Sequence, residues 1–250
     1  MSPKVLVVGR FNPDSFVRWL SDGFVYAGCR VVRTGILAYE GYPSEELPRL
    51  HDAPQFPPGQ SPKTSIDLSA IYNYFCERGF TPDLIHVDCW DNLLYETASH
   101  CDARIAMTRD QQLWVYKYNL NDGIPCEAIE YGADPYVFRL SDRKMDPTAK
   151  PVRENELPKS IGARAALYRH APYAVLSNAK FREALCSGCP AVFPEHEAEM
   201  HNLMRGDEVE NIENASRVKA YEVMTSHTWM HRAIQVLKHC ELLPGPVPRL

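Results

Sequence analysis

No stretch of the 250-residue sequence approaches the roughly 18 consecutive apolar residues that a membrane span requires. The N-terminus runs from Met1-Ser2-Pro3-Lys4 straight into a strand-like segment. It has no long apolar stretch followed by a small-residue cleavage site, so no export signal is expected. Basic charge is not in surplus either. Lys and Arg number 27 against 32 Asp and Glu, a net charge of -5, so no global field advertises nucleic acid and only a local patch could attract it. Internal repeats are missing. Metal-site spacings are missing too: Cys186 and Cys189 stand as CxxC, but no second Cys pair or suitable His pair follows at zinc-finger distance. That CxxC ends an expected helix, whereas a redox motif follows a strand and opens one. His227 and His231 lack the intervening Glu of a zinc protease. Gly9 alone falls far short of a dinucleotide fingerprint. No metal or cofactor is expected.

What is present suits a packed core: 45% of residues are hydrophobic and 24% charged. The length fits one large domain or two small ones. The eight cysteines are scattered, several in apolar runs where a free thiol behaves as a small hydrophobe. Without an export signal they read as reduced, in a cytoplasmic protein.

Lys4–Arg10 is an apolar run closed by glycine, which suits a strand buried on both faces. Asn12-Pro13-Asp14-Ser15 offers helix-start chemistry, and Phe16, Trp19, Leu20 and Phe24 follow at helical spacing. Arg30–Ile36 is a second strand. Six prolines between residues 42 and 64 predict a surface loop. Beyond it the pattern predicts a helix over Asp67–Arg78 and a strand over Pro82–Asp88. A short helix over Leu93–Cys101, a strand over Arg104–Thr108, a helix over Gln111–Tyr118 and a strand over Cys126–Tyr131 complete this part. Residues 139 to 158 read as a polar linker. Ser160–His170 and Ala179–Cys186 are expected helices, with strands at Tyr173–Ser177 and Pro190–Phe193. Glu197–Met204 and Ser216–Cys240 are expected to be helical, before a proline-rich tail. Alternation of this kind predicts a parallel sheet with right-handed crossovers, whose ligands sit at the carboxyl ends of the strands.

Two stretches are more specific. Ile129–Phe138, containing Gly132-Ala133-Asp134, resembles the strand-then-GVDxxxF junction between the lobes of GT-B glycosyltransferases, especially the family-4-like and spore-maturation-type enzymes. Physically, Gly132 permits a backbone turn that other residues resist, and Asp134 precedes a proline that forces an extended bend. Ser177–Val192 resembles the KfxEALAxGxPVV signature of the donor lobe in the same enzymes. Ser226–Ala233 is similar to their C-terminal HTyxxRa helix. The resemblance implies an α/β chain of two Rossmann-like parallel-sheet lobes, GT-B-like. An acceptor-side lobe would span residues 1–138, and a reduced nucleotide-sugar lobe residues 139–250.

It further implies transfer of a sugar from a nucleotide-sugar donor to an acceptor hydroxyl, without an obligatory metal. Ser177 and Asn178 would present a helix N-terminus to the diphosphate. Lys180 would contact the nucleotide, Glu183 would hold its ribose, and Gly188 would make the return to the next strand. Lys180 and Glu183 also suit an exposed i,i+3 ion pair. The pattern departs from the family at Val175, where a second glutamate would stand, and between Arg139 and Ser160, where strands carrying basic residues are not found. Arg153, Lys159 and Arg164 are the available charges. The shortened second half keeps a non-catalytic GT-B-like binding or assembly module open as the alternative.

Asp88, at a strand tip facing the expected cleft, suits a general base or a stabiliser of sugar charge; it suits an Asx turn or helix cap as well. His86 is assigned to the opposite face of that strand, as a core histidine. Gly9, Arg10 and Arg109 are candidates for the acceptor or phosphate side, with strand-end turns and a pair with Asp110 as the plainer readings. The expected partners are the nucleotide-sugar donor and an acceptor. A hydroxymethylated DNA base is an open alternative if Arg10, Arg18, Arg30 and Arg33 form a basic surface. A homo-oligomer is left open.

Overall fold

A computed structural model of the chain describes residues 2–12, 14–37, 66–88, 95–96, 101–109, 112–116 and 123–243. The proline-rich segment and most of the helix expected over Leu93–Cys101 lie outside these residues. Among them, no helix is long and apolar enough to cross a membrane. The chain is α/β and divides into two compact units. Of the described residues, one comprises those up to Glu130 together with those from Met230 on, and the other Tyr131–Trp229.

The first unit contains β1 (Lys4–Phe11), α1 (Phe16–Tyr26), β2 (Arg30–Leu37), β3 (Ile66–Asp67) and α2 (Leu68–Cys76). It continues with β4 (Leu84–Asp88), β5 (Tyr95–Glu96), β6 (Arg104–Arg109), β7 (Gln112–Tyr116) and β8 (Ile124–Ala128). Six strands form one sheet in the order β2-β1-β4-β6-β7-β8, while β3 and β5 pair separately. Val5, Leu6, Val7 and Val8 are wholly buried, as their unbroken apolar run requires of a strand covered on both faces. Leu6, Val8, Ile85, Val87, Ile105 and Met107 pack with Leu68, Ile71, Tyr72 and Phe75 of α2. Asp67 caps that helix, accepting from the amides of Ser69 and Ala70. Ser15 caps α1 in the same way, accepting from the Arg18 amide.

The sheet is mixed, which corrects the all-parallel expectation. β2, β1, β4 and β6 run parallel, but β7 is antiparallel to β6 and β8 is antiparallel to β7. The segment expected as a helix over Gln111–Tyr118 is strand β7. Its burial alternates, with Leu113 and Val115 inward and Gln112, Trp114 and Tyr116 less buried, a period of two that the apolar content alone conceals. The strand expected at Cys126–Tyr131 begins earlier, at Ile124, and ends at Ala128. Tyr95–Glu96, within the helix expected over Leu93–Cys101, is strand β5 and pairs with Ile66–Asp67.

The second unit contains β9 (Val152–Arg153), α3 (Ile161–His170), β10 (Ala174–Val175), α4 (Asn178–Cys186), β11 (Ala191–Val192), α5 (Glu197–Leu203) and α6 (Val209–Ser226). Helix α7 (Trp229–His239) follows, all but its first residue belonging to the first unit. Three parallel strands take the order β11-β10-β9. The segment expected as a plain linker therefore supplies a strand, too short at two residues to leave a periodic mark. Ser160 caps α3, accepting from the Ala163 amide at 3.2 Å. At the end of α4, Gly188 adopts φ +73°, its amide donates to Leu185 and that of Cys189 to Ala184. This double bond closes the helix and needs glycine at the left-handed position.

Candidate functional site

The carboxyl ends of β1, β4 and β6 bring several expected residues together in the first unit. Asp88 is paired in register with Thr108, and Gly9 with Gly35 of β2. A Cβ placed on Gly9 would lie 3.1 Å from the Asp88 Cβ and 3.0 Å from Val17, so the bare backbone there lets α1 and Asp88 close in. Strand β1 runs on through Gly9 and Arg10 to Phe11, so Gly9 is not a strand-end turn. Asp88 is buried, whereas Arg10 is exposed. The Arg109 side chain lies outside the described residues.

His86 corrects its expected placement. Residues two apart on a strand share a face, so His86 stands on the same side as Asp88. It is fully buried, tilted against Phe24 of α1, and its Nε2 lies 2.9 Å from Thr108 Oγ1. Among the described residues, Nδ1 has no hydrogen-bond partner. Burial of the imidazole lowers its pKa from 6.5 to about 3, because the charged form would lose its hydration. His86 is thus a neutral core residue that keeps Thr108 in place beside Asp88.

The basic residues of this unit are largely engaged. Arg18 Nε lies 3.0 Å from Asp22, and Arg33 donates to Asp22 at 2.7 Å and to Ser21 at 2.7 Å. Arg18 also stacks on Trp19, 3.6 Å from the ring centroid. Arg30 lies over the ring of Phe80. Two of the four arginines that could have formed a nucleic-acid patch therefore close on one carboxylate.

In the second unit the strand–helix turn delivers Ser177 to the start of α4, with Lys180 and Glu183 on the following turn. Glu183 is buried, and its carboxylate is held by Arg164: Nε donates to Oε2 at 3.1 Å and Nη2 to Oε1 at 3.4 Å. Arg164 Nη1 donates to the carbonyls of Pro158 and Lys159. Lys180 Nζ lies 3.4 Å from Glu183 Oε1, so the i,i+3 pair exists but is part of a buried triad rather than an exposed pair. The Ser177 amide donates to the Glu154 carboxylate at 2.9 Å. An anion already stands where the helix start offers an amide. The side chain of Asn178 lies outside the described residues. Gly188 shapes the helix end; a Cβ there would lie 2.4 Å from Leu140 Cδ1.

The two other marked segments meet here. Ala133 and Thr228 form a parallel bridge, the Ala133 amide donating to the His227 carbonyl and the Trp229 amide to that of Ala133. A Cβ on Gly132 would lie 2.7 Å from the Trp229 amide nitrogen. Close backbone approach, not a positive φ, is what requires glycine at 132, which corrects the turn expected there. Asp134 is buried and accepts from the Tyr136 amide at 2.8 Å, an Asx turn made at the proline. Arg182 of α4 donates to the Tyr131 carbonyl at 3.0 Å, tying the junction to the helix that carries Glu183.

Sequence reasoning missed the partners. Arg164 stood out only as a spare charge, and Glu154 not at all, because neither contact has a spacing rule. Cys186 and Cys189 are buried, and burial pushes both thiols up to about 12. Among the described residues no three His, Cys, Asp or Glu gather as a metal cage. No protein-family model, curated protein or solved structure matches the chain.

Proposed function

We propose that the chain is a glycosyltransferase that takes a nucleotide-sugar donor on its second unit and an acceptor hydroxyl on its first. The observation that carries this reading is the β10–α4–β11 turn. It sets Ser177 at the N-terminus of α4 and Lys180 and Glu183 on the helix behind it, at the carboxyl end of a parallel strand, where α/β sheets bind ligands. The buried Arg164 clamp fixes the Glu183 carboxylate, the kind of preorganised acceptor that a ribose hydroxyl needs. Asp88 is the candidate base for the acceptor hydroxyl. In the transfer, that hydroxyl oxygen bonds to the anomeric carbon, the bond to the diphosphate breaks, and the hydroxyl proton passes to the base.

Titration calorimetry with UDP-, GDP-, ADP- and TDP-sugars tests the reading. Saturable binding of one, weakened in Lys180→Ala, is the expected result; no binding of any sinks it. A second reading, a non-catalytic binding or assembly module, is favoured by a different observation. The Ser177 amide is bonded to Glu154, and both Glu183 oxygens have protein partners before any ligand arrives. Slow hydrolysis of the bound nucleotide sugar by the purified chain supports the enzyme; binding without turnover supports the module.

A further inference from the structure

The second unit also holds a cavity of about 670 Å³ that the donor reading does not use. Its polar lining is Lys150, Arg153, Tyr173, Glu195, Glu197 and His201, and two prolines and an alanine form the apolar part. The sheet explains its position. Arg153 is in register with Val175, so by strand alternation Arg153, Tyr173 and Val175 share one face. Met200 and Met204, on and just after α5, pack against Tyr173 and Val175 on that face. Glu197, Ala198 and His201 of the same helix then look across the cavity to the β9 segment.

The lining groups come in matched pairs. Arg153 donates Nε, at 3.1 Å, and Nη2 to the same oxygen of Glu197, Oε1. The Tyr173 hydroxyl lies 3.2 Å from His201 Nδ1. Among the described residues, these pairings leave Arg153 Nη1, Glu197 Oε2 and His201 Nε2 for a ligand. Formal charge balances, with Lys150 and Arg153 against Glu195 and Glu197. A phosphate would meet two carboxylates, and a divalent cation would meet two basic side chains. An uncharged polyol avoids both penalties. Each sugar hydroxyl donates and accepts, so two neighbouring hydroxyls can take an N–H from the guanidinium and give an O–H to the carboxylate without breaking the pair. The apolar C–H face of a pyranose suits the proline walls and the Tyr173 ring, and the volume lies within the usual range for small-molecule sites.

We propose that this cavity binds a neutral saccharide through vicinal hydroxyls held by Arg153 and Glu197. The assignment is independent of the donor reading: it uses no residue of Ser177–Gly188 and needs no nucleotide.

Ligand-observed NMR and calorimetry on the full chain with glucose, galactose, mannose and maltose test it. Inorganic phosphate and glycine serve as charged competitors, and a parallel UDP-glucose titration reports the donor site separately. At least one neutral sugar should bind saturably and resist displacement by either competitor. Glu197→Ala and His201→Ala should each weaken it about tenfold, the loss of one charge-assisted or one neutral hydrogen bond with its geometry. Glu197 is half-buried and His201 exposed, and unchanged thermal midpoints would show that the variants fold. Failure of all four sugars to bind, undiminished binding in both variants, or displacement by phosphate would overturn the proposal.

Discussion

Arg164 Nε donates to Glu183 Oε2 at 3.1 Å, with the two side chains only 2% and 7% exposed. A buried pair of this kind is worth little over an apolar pair of the same shape, yet breaking it is costly, because one charge stays behind without its counter-charge. Glu183→Ala should therefore destabilise the chain by about 3–5 kcal/mol. The double change Arg164→Met with Glu183→Leu should recover most of that loss. Urea denaturation of the parent and the two variants measures it, and a Glu183→Ala chain as stable as the parent would refute the account. Nucleotide affinity in Glu183→Ala has to be compared at temperatures where the variant is folded.

His86 gives the acid limb of stability a definite sign. Its native pKa is lowered to about 3 and its ordinary value is 6.5, so the unfolded chain binds a proton that the native chain refuses. The contribution is complete above pH 6.5 and is lost as pH falls from there toward 3. At 1.36 kcal/mol per unit, the full loss is on the order of 5 kcal/mol. Denaturant unfolding between pH 7 and pH 4 should show His86→Leu with a shallower decline than the parent. Parallel slopes would mean that the imidazole takes up its proton in the native state as well.

Much of the first unit was legible because long apolar runs and helical stripes report burial directly. Val5–Val8 and the Leu68, Ile71, Tyr72 and Phe75 stripe both packed as their spacing required. The helix expected over Gln111–Tyr118 contains Leu113, Trp114 and Val115, which are apolar under either period. Only the hydrogen bonds to β6 and β8 decide for a strand. In the second unit, two-residue strands such as Val152–Arg153 are too short for any period to register. The marked residues Gly132, Asp134, Glu183 and Gly188 were visible as residues, but their partners were not. Arg164, Glu154 and Trp229 reach them from distant parts of the chain, and no spacing rule encodes such contacts.

Gly35 faces Gly9 across the β1–β2 ladder with φ +148°. A Cβ at residue 35 would lie 1.8 Å from the Gly9 carbonyl oxygen, a backbone atom that cannot rotate away. Gly35→Ala should therefore break the register of β2 against β1 and leave little folded protein. Gly28→Ala makes the contrast: Gly28 has φ +84° but, among the described residues, nothing within 4 Å of its Cβ position, so backbone strain of about 1–2 kcal/mol applies. Thermal melts followed by circular dichroism distinguish the two, and equal midpoints would remove the steric argument.

The buried thiols should set an alkaline limb opposite to the acid one. Desolvation raises Cys29 to about 11 and Cys186, Cys189 and Cys240 to about 12, against 9.0 for an ordinary thiol. Between pH 9 and these values the unfolded chain releases protons that the native chain retains, so stability falls as pH rises, by about 1.4 kcal/mol per unit for each such thiol. The same burial keeps the nucleophilic thiolate scarce at pH 8. Iodoacetamide at that pH should modify Cys186, Cys189 and Cys240 only as fast as the structure opens. Added urea should accelerate the reaction steeply, as mass spectrometry of the labelled peptides would show. Rapid native labelling of Cys186 or Cys189 would instead mean that this CxxC pair is accessible and reactive, and that its place at the end of α4 is more than packing.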